Sequence, residues 1–137
     1  MRVLLFTLLF LGCNKSPIDV SGEQFNNWKL QKISNYSFSL RVNCFCPLET
    51  VGPHEVVVKN GQVSTVNGKP YDPQVHSMIK SIDDLFAFIS ESIARKPFNK
   101  TLEYDAKYYF PSNVFFDYSE MMADEELGYQ VTNFKPL

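Results

Sequence analysis

The clearest pattern in the chain is an alternation that runs from Tyr36 to Cys46. Tyr36, Phe38, Leu40, Val42, Cys44 and Cys46 fall on one side, and Ser37, Ser39, Arg41 and Asn43 on the other. A period of two over such a run predicts a half-buried strand with one wet face. Pro47 ends it, because proline cannot donate to a sheet ladder. In His54–Val66, Asn60-Gly61 separates Glu55-Val56-Val57-Val58-Lys59 from Gln62-Val63-Ser64-Thr65-Val66. Asn-Gly favours a type I′ turn, which predicts a hairpin with Val58 facing Val63 and Val56 facing Thr65.

Helical spacing occurs twice. Ser21 with Gln24 has capping-box spacing, and Phe25, Trp28, Leu30 and Ile33 follow as an apolar stripe, so a helix is expected over roughly Gly22–Ser34. Trp28 reads as a core anchor. Ser81 with Asp84 opens a second helix, in which Ile82, Leu85, Phe86, Ile89 and Ile93 keep the 3.6-residue period until Pro97 stops it. Residues 67–80 read as a loop. Thr101–Asp105 and Val114–Tyr118 read as strands around a turn at Tyr108-Tyr109-Phe110-Pro111, and Gly128–Phe134 as the last strand. The order helix, three strands, helix, three strands predicts an α+β fold with two helices packed on one face of an antiparallel sheet.

Residues 1–13 carry a different signal. One charge, Arg2, precedes an apolar run from Val3 to Leu11, then Gly12 and Cys13. That is a secretory signal, and the run falls short of the roughly 20 residues that span a bilayer. Leu9-Phe10-Leu11-Gly12-Cys13 resembles the lipobox of bacterial lipoproteins, with Phe10 where the common pattern has leucine. The resemblance implies a diacylglycerol thioether on Cys13, with fatty acyl groups such as palmitate, and cleavage before it. Residues 1–12 are then the leader, 13–20 the lipidated cysteine and tether, and 21–137 a single domain. The mature chain carries twelve basic against fifteen acidic residues, net −3, without a basic cluster, which argues against a nucleic-acid partner. Aromatics make up 15% of the chain, enough to fill a core at this size.

Further segments carry a wider resemblance. They are Trp28 before Asn35-Tyr36-Ser37-Phe38, Cys44-Phe45-Cys46-Pro47, Val56 to Val63, Ile82-Asp83-Asp84-Leu85-Phe86, Tyr104-Asp105, Phe110-Pro111, Asp117, Asp124-Glu125-Glu126, Gly128-Tyr129 and Phe134. In that order they resemble the bacterial domain-of-unknown-function family 6174, whose members look secreted or lipid-anchored. Tyr109 stands where family members tend to show a glycine turn. The resemblance implies an architecture and no activity.

Candidate chemistry centres on Cys44 and Cys46. Outside the cytoplasm two cysteines should oxidise. In an extended strand their Cβ atoms lie about 6.6 Å apart, against the roughly 3.5–4.5 Å of a disulfide. The strand therefore either bends at Phe45 and Pro47 or leaves the pair unjoined. A structural disulfide, reduced core thiols, a redox pair and a metal site are the four readings. The metal reading adds His54 and His76 as a Cys₂His₂ set, although their spacing fits no standard finger. His54-Glu55 starts a zincin-like motif that fails at Val58. Asp117, Glu120, Asp124, Glu125 and Glu126 crowd carboxylates that suit calcium, but without EF-hand spacing, and read first as an acidic loop. No catalytic, phosphate-binding or cofactor motif occurs. The expectation is a non-enzymatic, lipid-anchored envelope protein that binds an envelope protein or a ligand. A thiol-redox or metal-binding role through Cys44 and Cys46 is the alternative.

Overall fold

The computed structural model describes residues 20–121 and 125–137. Helix α1 (Val20–Leu30) leads into strand β1 (Tyr36–Cys44), and a one-turn helix α2 (Leu48–Val51) follows it. Strands β2 (His54–Lys59), β3 (Gln62–Val66) and β4 (Lys69–Pro70) come next, then helix α3 (Ile82–Ala94). Strands β5 (Asn99–Tyr104), β6 (Pro111–Asp117) and β7 (Leu127–Pro136) complete the chain. All the strands join one antiparallel sheet in the order β4-β3-β2-β1-β7-β6-β5. The alternating strand β1 is its centre, and β7 inserts beside it to unite the two halves.

The sheet is amphipathic because its strands keep one phase. Val42, Tyr129 and Val114 are neighbours across β1, β7 and β6, and all three are buried. Phe38 pairs with Val56, and Val56 with Val66, on the same side. Helix α1 covers that side through Trp28, which meets Tyr36 edge-on at 5.5 Å and Phe134 at 5.8 Å. Helix α3 covers it through Phe88, edge-on to Phe116 and Tyr129, and through Ile89. The α+β architecture with an antiparallel sheet is thus present. Among the described residues it has seven strands, with α2 and β4 added to the expected order.

The differences from the expected elements have local causes. Helix α1 ends at Leu30, not Ser34, because Lys32 turns into the left-handed region at φ 53°. Ser21 lies inside α1, which includes Val20. Leu30 is exposed, because two residues past Trp28 on a helix is the opposite face. The Asn60-Gly61 turn has both φ values positive and pairs Val58 with Val63, as a type I′ turn requires. Val56 pairs with Val66, not Thr65, because the ladder shifts between Val57 and Val58 and leaves Ser64 as the extra residue. Without that bulge Val66 would point at the wet face; with it, Val66 is only 1% exposed. Ser81 and Asp84 form the expected capping box reciprocally at 3.1 Å.

Two substitutions test this packing. Phe86 is 6% exposed and touches Phe25 at 5.1 Å and Tyr104 at 6.2 Å. Phe86→Ala should destabilise by about 3–5 kcal/mol in chemical denaturation; a loss below about 1 kcal/mol would place the ring outside the core. Lys96 follows the C-cap of α3 with φ 55° and is exposed. Lys96→Gly should raise stability by roughly 0.5–1 kcal/mol, because glycine adopts this conformation without a Cβ clash.

Candidate functional site

The side of the sheet turned away from the helices carries an ordered polar array. Arg41 pairs with Gln130, Gln130 with Asn113, and Asn113 with Glu103, a row across β1, β7, β6 and β5. Arg41, Gln130 and Glu103 are exposed and Asn113 is half-buried. The Asn113 amide donates to Glu103 Oε2 at 3.2 Å. Of the four wet-face residues expected from the alternation, Arg41 and Asn43 reach solvent, while Ser37 is half-buried and Ser39 buried. Ser39 Oγ donates to Glu55 Oε1 at 2.5 Å and accepts from Asn133 Nδ2 at 3.4 Å. Gly128, beside Asn43, has no room for a side chain, since a Cβ would stand 2.4 Å from the Val114 carbonyl.

A concavity of about 530 Å³ lies where α1 ends, the β2–β3 turn folds over and α3 begins. Trp28, Lys29, Lys32, Asn60, Gln62 and Asp83 contribute to its walls. The Trp28 indole N–H donates to Asp83 Oδ1 at 2.7 Å, and Lys29 Nζ to Asp83 Oδ2 at 2.9 Å. The turn is fixed from below, since Gly61 N–H donates to the Ser34 carbonyl and Asn60 N–H to Asn35 Oδ1. Asp83 is therefore spent on its neighbours, and this concavity serves as the joint between α1 and α3. The residues of the polar row present their side chains to solvent instead.

At the opposite end of β1 the structure joins Cys44 to Cys46 through their sulfurs, with Cα atoms 5.4 Å apart. The strand stops at Cys44 and the chain bends through Phe45, which resolves the mismatch an extended strand would leave. Arg41 lies on the other face, but Arg95, the C-cap of α3, shares a groove with Cys44 and Phe45. Its guanidinium sits 3.8 Å from the centre of the Tyr118 ring. Sequence order gave no hint of that cation.

The remaining candidates do not converge. Among the described residues no three of His, Cys, Asp and Glu stand together as metal ligands. The Cys₂His₂ set of Cys44, Cys46, His54 and His76 fails because His54 pairs with Leu40, four residues back along β1 from Cys44. That separation is about 13 Å at strand rise. His54 Nε2 instead donates to the Thr50 carbonyl at 2.8 Å, and His76 Nδ1 accepts the Asp72 N–H at 3.0 Å. Asp117, Glu120, Glu125 and Glu126 form no ligand group either, Asp117 being engaged with the Ser119 N–H. Asp124 and Cys13 lie outside the described residues, as do the leader and residues 13–19 of the tether.

The Family of unknown function (DUF6174) matches residues 22–136. The chain belongs to this family. No curated protein and no solved structure matches it. Among the segments that carry the DUF6174 resemblance, Trp28, Tyr36, Asn60-Gly61 and Asp83 meet at the α1–α3 joint. Sequence reasoning placed Trp28 in the core but missed its partner, 55 residues away. It also missed Gln130, Asn113, Glu103 and Glu55, whose signal was the strand phase that sets them opposite the buried positions.

The joint supplies a test of which contact matters. Asp83→Ala strips the buried Trp28 indole of its acceptor and should cost about 1–3 kcal/mol. Lys29→Ala removes only a pair whose side chains are 55% and 37% exposed, and should cost under about 1 kcal/mol. Equal losses in chemical denaturation would show that the ion pair, not the indole bond, carries the joint.

Proposed function

We propose that this DUF6174 protein is a non-enzymatic binding module, lipid-anchored through Cys13 on the outer side of a bacterial membrane. The observation that carries the binding role is the row Arg41–Gln130–Asn113–Glu103, aligned across four strands and facing solvent. The hydrogen-bonded sheet holds the backbones of these groups at fixed spacing, so little ordering entropy is lost when a partner engages them. The row pairs one cation and one anion at its ends with two amides between them. It suits an envelope protein or ligand that offers alternating donors and acceptors rather than net charge. No described helix is long and apolar enough to cross a membrane, so the lipid supplies the attachment in this reading. Two or more chains anchor stably where one holds only marginally.

A thiol-redox role for Cys44 and Cys46 is the second reading, and the observation favouring it is the nearness of Arg95 to Cys44. The Arg95 guanidinium is committed to the Tyr118 ring, so the binding reading stands first. Rapid alkylation of the reduced pair well below pH 7 would reverse that order, since it requires a lowered thiol pKa.

The anchor and the face are tested separately. Cys13→Ala should abolish metabolic palmitate labelling and release the protein from the membrane fraction; persistent labelling and sedimentation would refute the anchor. A photo-crosslinking residue at Gln130 in the lipidated protein should give a discrete adduct that Arg41→Ala removes without loss of thermal stability. An adduct of equal yield from Lys59, insensitive to Arg41→Ala, would refute the face.

A further inference from the structure

Exposed large apolar side chains gather at one end of the molecule. Of seven among the described residues, Phe45, Leu48, Phe98 and Met121 belong to the end where β1 and β6 finish, β5 and β7 begin and α3 terminates. The registers place this end: Cys44 pairs with Leu127, Phe116 with Leu127, and Asn99 with Asp117. Leu30 and Leu137 lie at the other end, Leu137 N–H being bonded to the Asn35 carbonyl just before β1. Phe45, 84% exposed, is held outward between the two joined cysteines.

The chain enters the fold at this same end. Helix α1 runs antiparallel to α3: Trp28 meets Asp83, Phe25 meets Phe86, and Ser21 and Gly22 share a groove with Ala87 and Ser90. Val20 therefore lies beside the last third of α3, at the end of the molecule that carries Phe45 and Phe98. Only six residues, Asn14–Asp19, separate Cys13 from Val20, so the span reaches about 25 Å at full extension.

We infer that this apolar end rests on the lipid surface that holds the anchor, with Phe45, Leu48, Phe98 and Met121 entering the interface between headgroups and acyl chains. The inference rests on the Cys13 anchor and adds the orientation of the domain. Large aromatic and aliphatic side chains gain by leaving water for the interfacial layer. The short tether confines the domain next to the membrane, so even a weak surface contact is populated. Charge does not drive it. Arg95, Lys96 and Lys100 at this end are outnumbered by Glu49, Asp117, Glu120, Glu125 and Glu126, so a zwitterionic bilayer suits it better than an anionic one. In this pose the sheet stands away from the bilayer and leaves the Arg41 row open to a partner.

The test uses the lipidated full-length protein in phosphatidylcholine vesicles, with Phe45→Trp or Leu30→Trp added to the native Trp28. Intact mass first reads the lipid on Cys13. With lipid present, the emission added by Phe45→Trp should shift to the blue and be largely lost when the phospholipids are brominated, while that added by Leu30→Trp stays unquenched. Phosphatidylglycerol mixed into the vesicles should weaken the Phe45→Trp quenching. Equal quenching at the two positions, or stronger quenching at Leu30→Trp, overturns the inference and leaves the anchor standing. A Phe45→Trp blue shift that grows with protein concentration and ignores bromine shows a second copy on this end, and also overturns it. Absence of lipid on Cys13 overturns the anchor and this inference with it.

Discussion

Tyr36 is where the two long helices and the sheet become one body. It opens the central strand, and its ring meets Trp28 of α1, Phe134 of β7 and Phe38 of its own strand. Its hydroxyl accepts the Ile82 N–H at 2.9 Å, at the first turn of α3. That N–H is one of the donors a helix start leaves without an intrahelical partner. A phenol taken out of water and an amide with no carbonyl to meet therefore satisfy each other. Burial pushes the Tyr36 phenol well above its ordinary range, and Asp83 and Asp84 push the same way. The hydroxyl stays protonated, and its oxygen remains an acceptor for the helix.

The two faces of the sheet follow from the phase that Tyr36 sets. Counting in twos from it reaches Phe38, Leu40 and Val42, all buried. The intervening positions meet Glu55, Gln130 and Thr132 on neighbouring strands. Where a neighbour would fall out of phase, the backbone adjusts. The bulge in the β2–β3 hairpin returns Val66 to the core, and a shift between Ser37 and Ser39 lets β7 continue to Pro136. The same phase that builds the core thus lines up the polar row proposed as the binding face.

What the sequence revealed was local. The alternation of β1, the Asn60-Gly61 turn and the Ser81–Asp84 box each need only a few adjacent residues; the turn and the box stand where the spacing put them, and the strand follows the alternation to Cys44, two residues short of Cys46. What it concealed depends on distance along the chain or on a single extra residue. The Trp28–Asp83 and Tyr36–Ile82 bonds join segments 55 and 46 positions apart. Ser64 looks like any strand residue until its partner strand shows it to be the bulge. The turn before Pro111 takes a left-handed conformation at Tyr109, φ 68°, although tyrosine offers no cue for it. The polar row could be read only in part, because Arg41 was visible in one strand and its neighbours lie on three others.

The Tyr36 hydroxyl ties α3 to the sheet through the Ile82 N–H. Tyr36→Phe keeps the ring contacts and removes only that oxygen, so it isolates the bond. Chemical denaturation combined with native-state hydrogen exchange should show a loss of about 1–3 kcal/mol, together with faster exchange of the Ile82 amide. Stability within about 0.5 kcal/mol of the parent and unchanged protection at Ile82 would show that the hydroxyl does not hold α3 to the sheet.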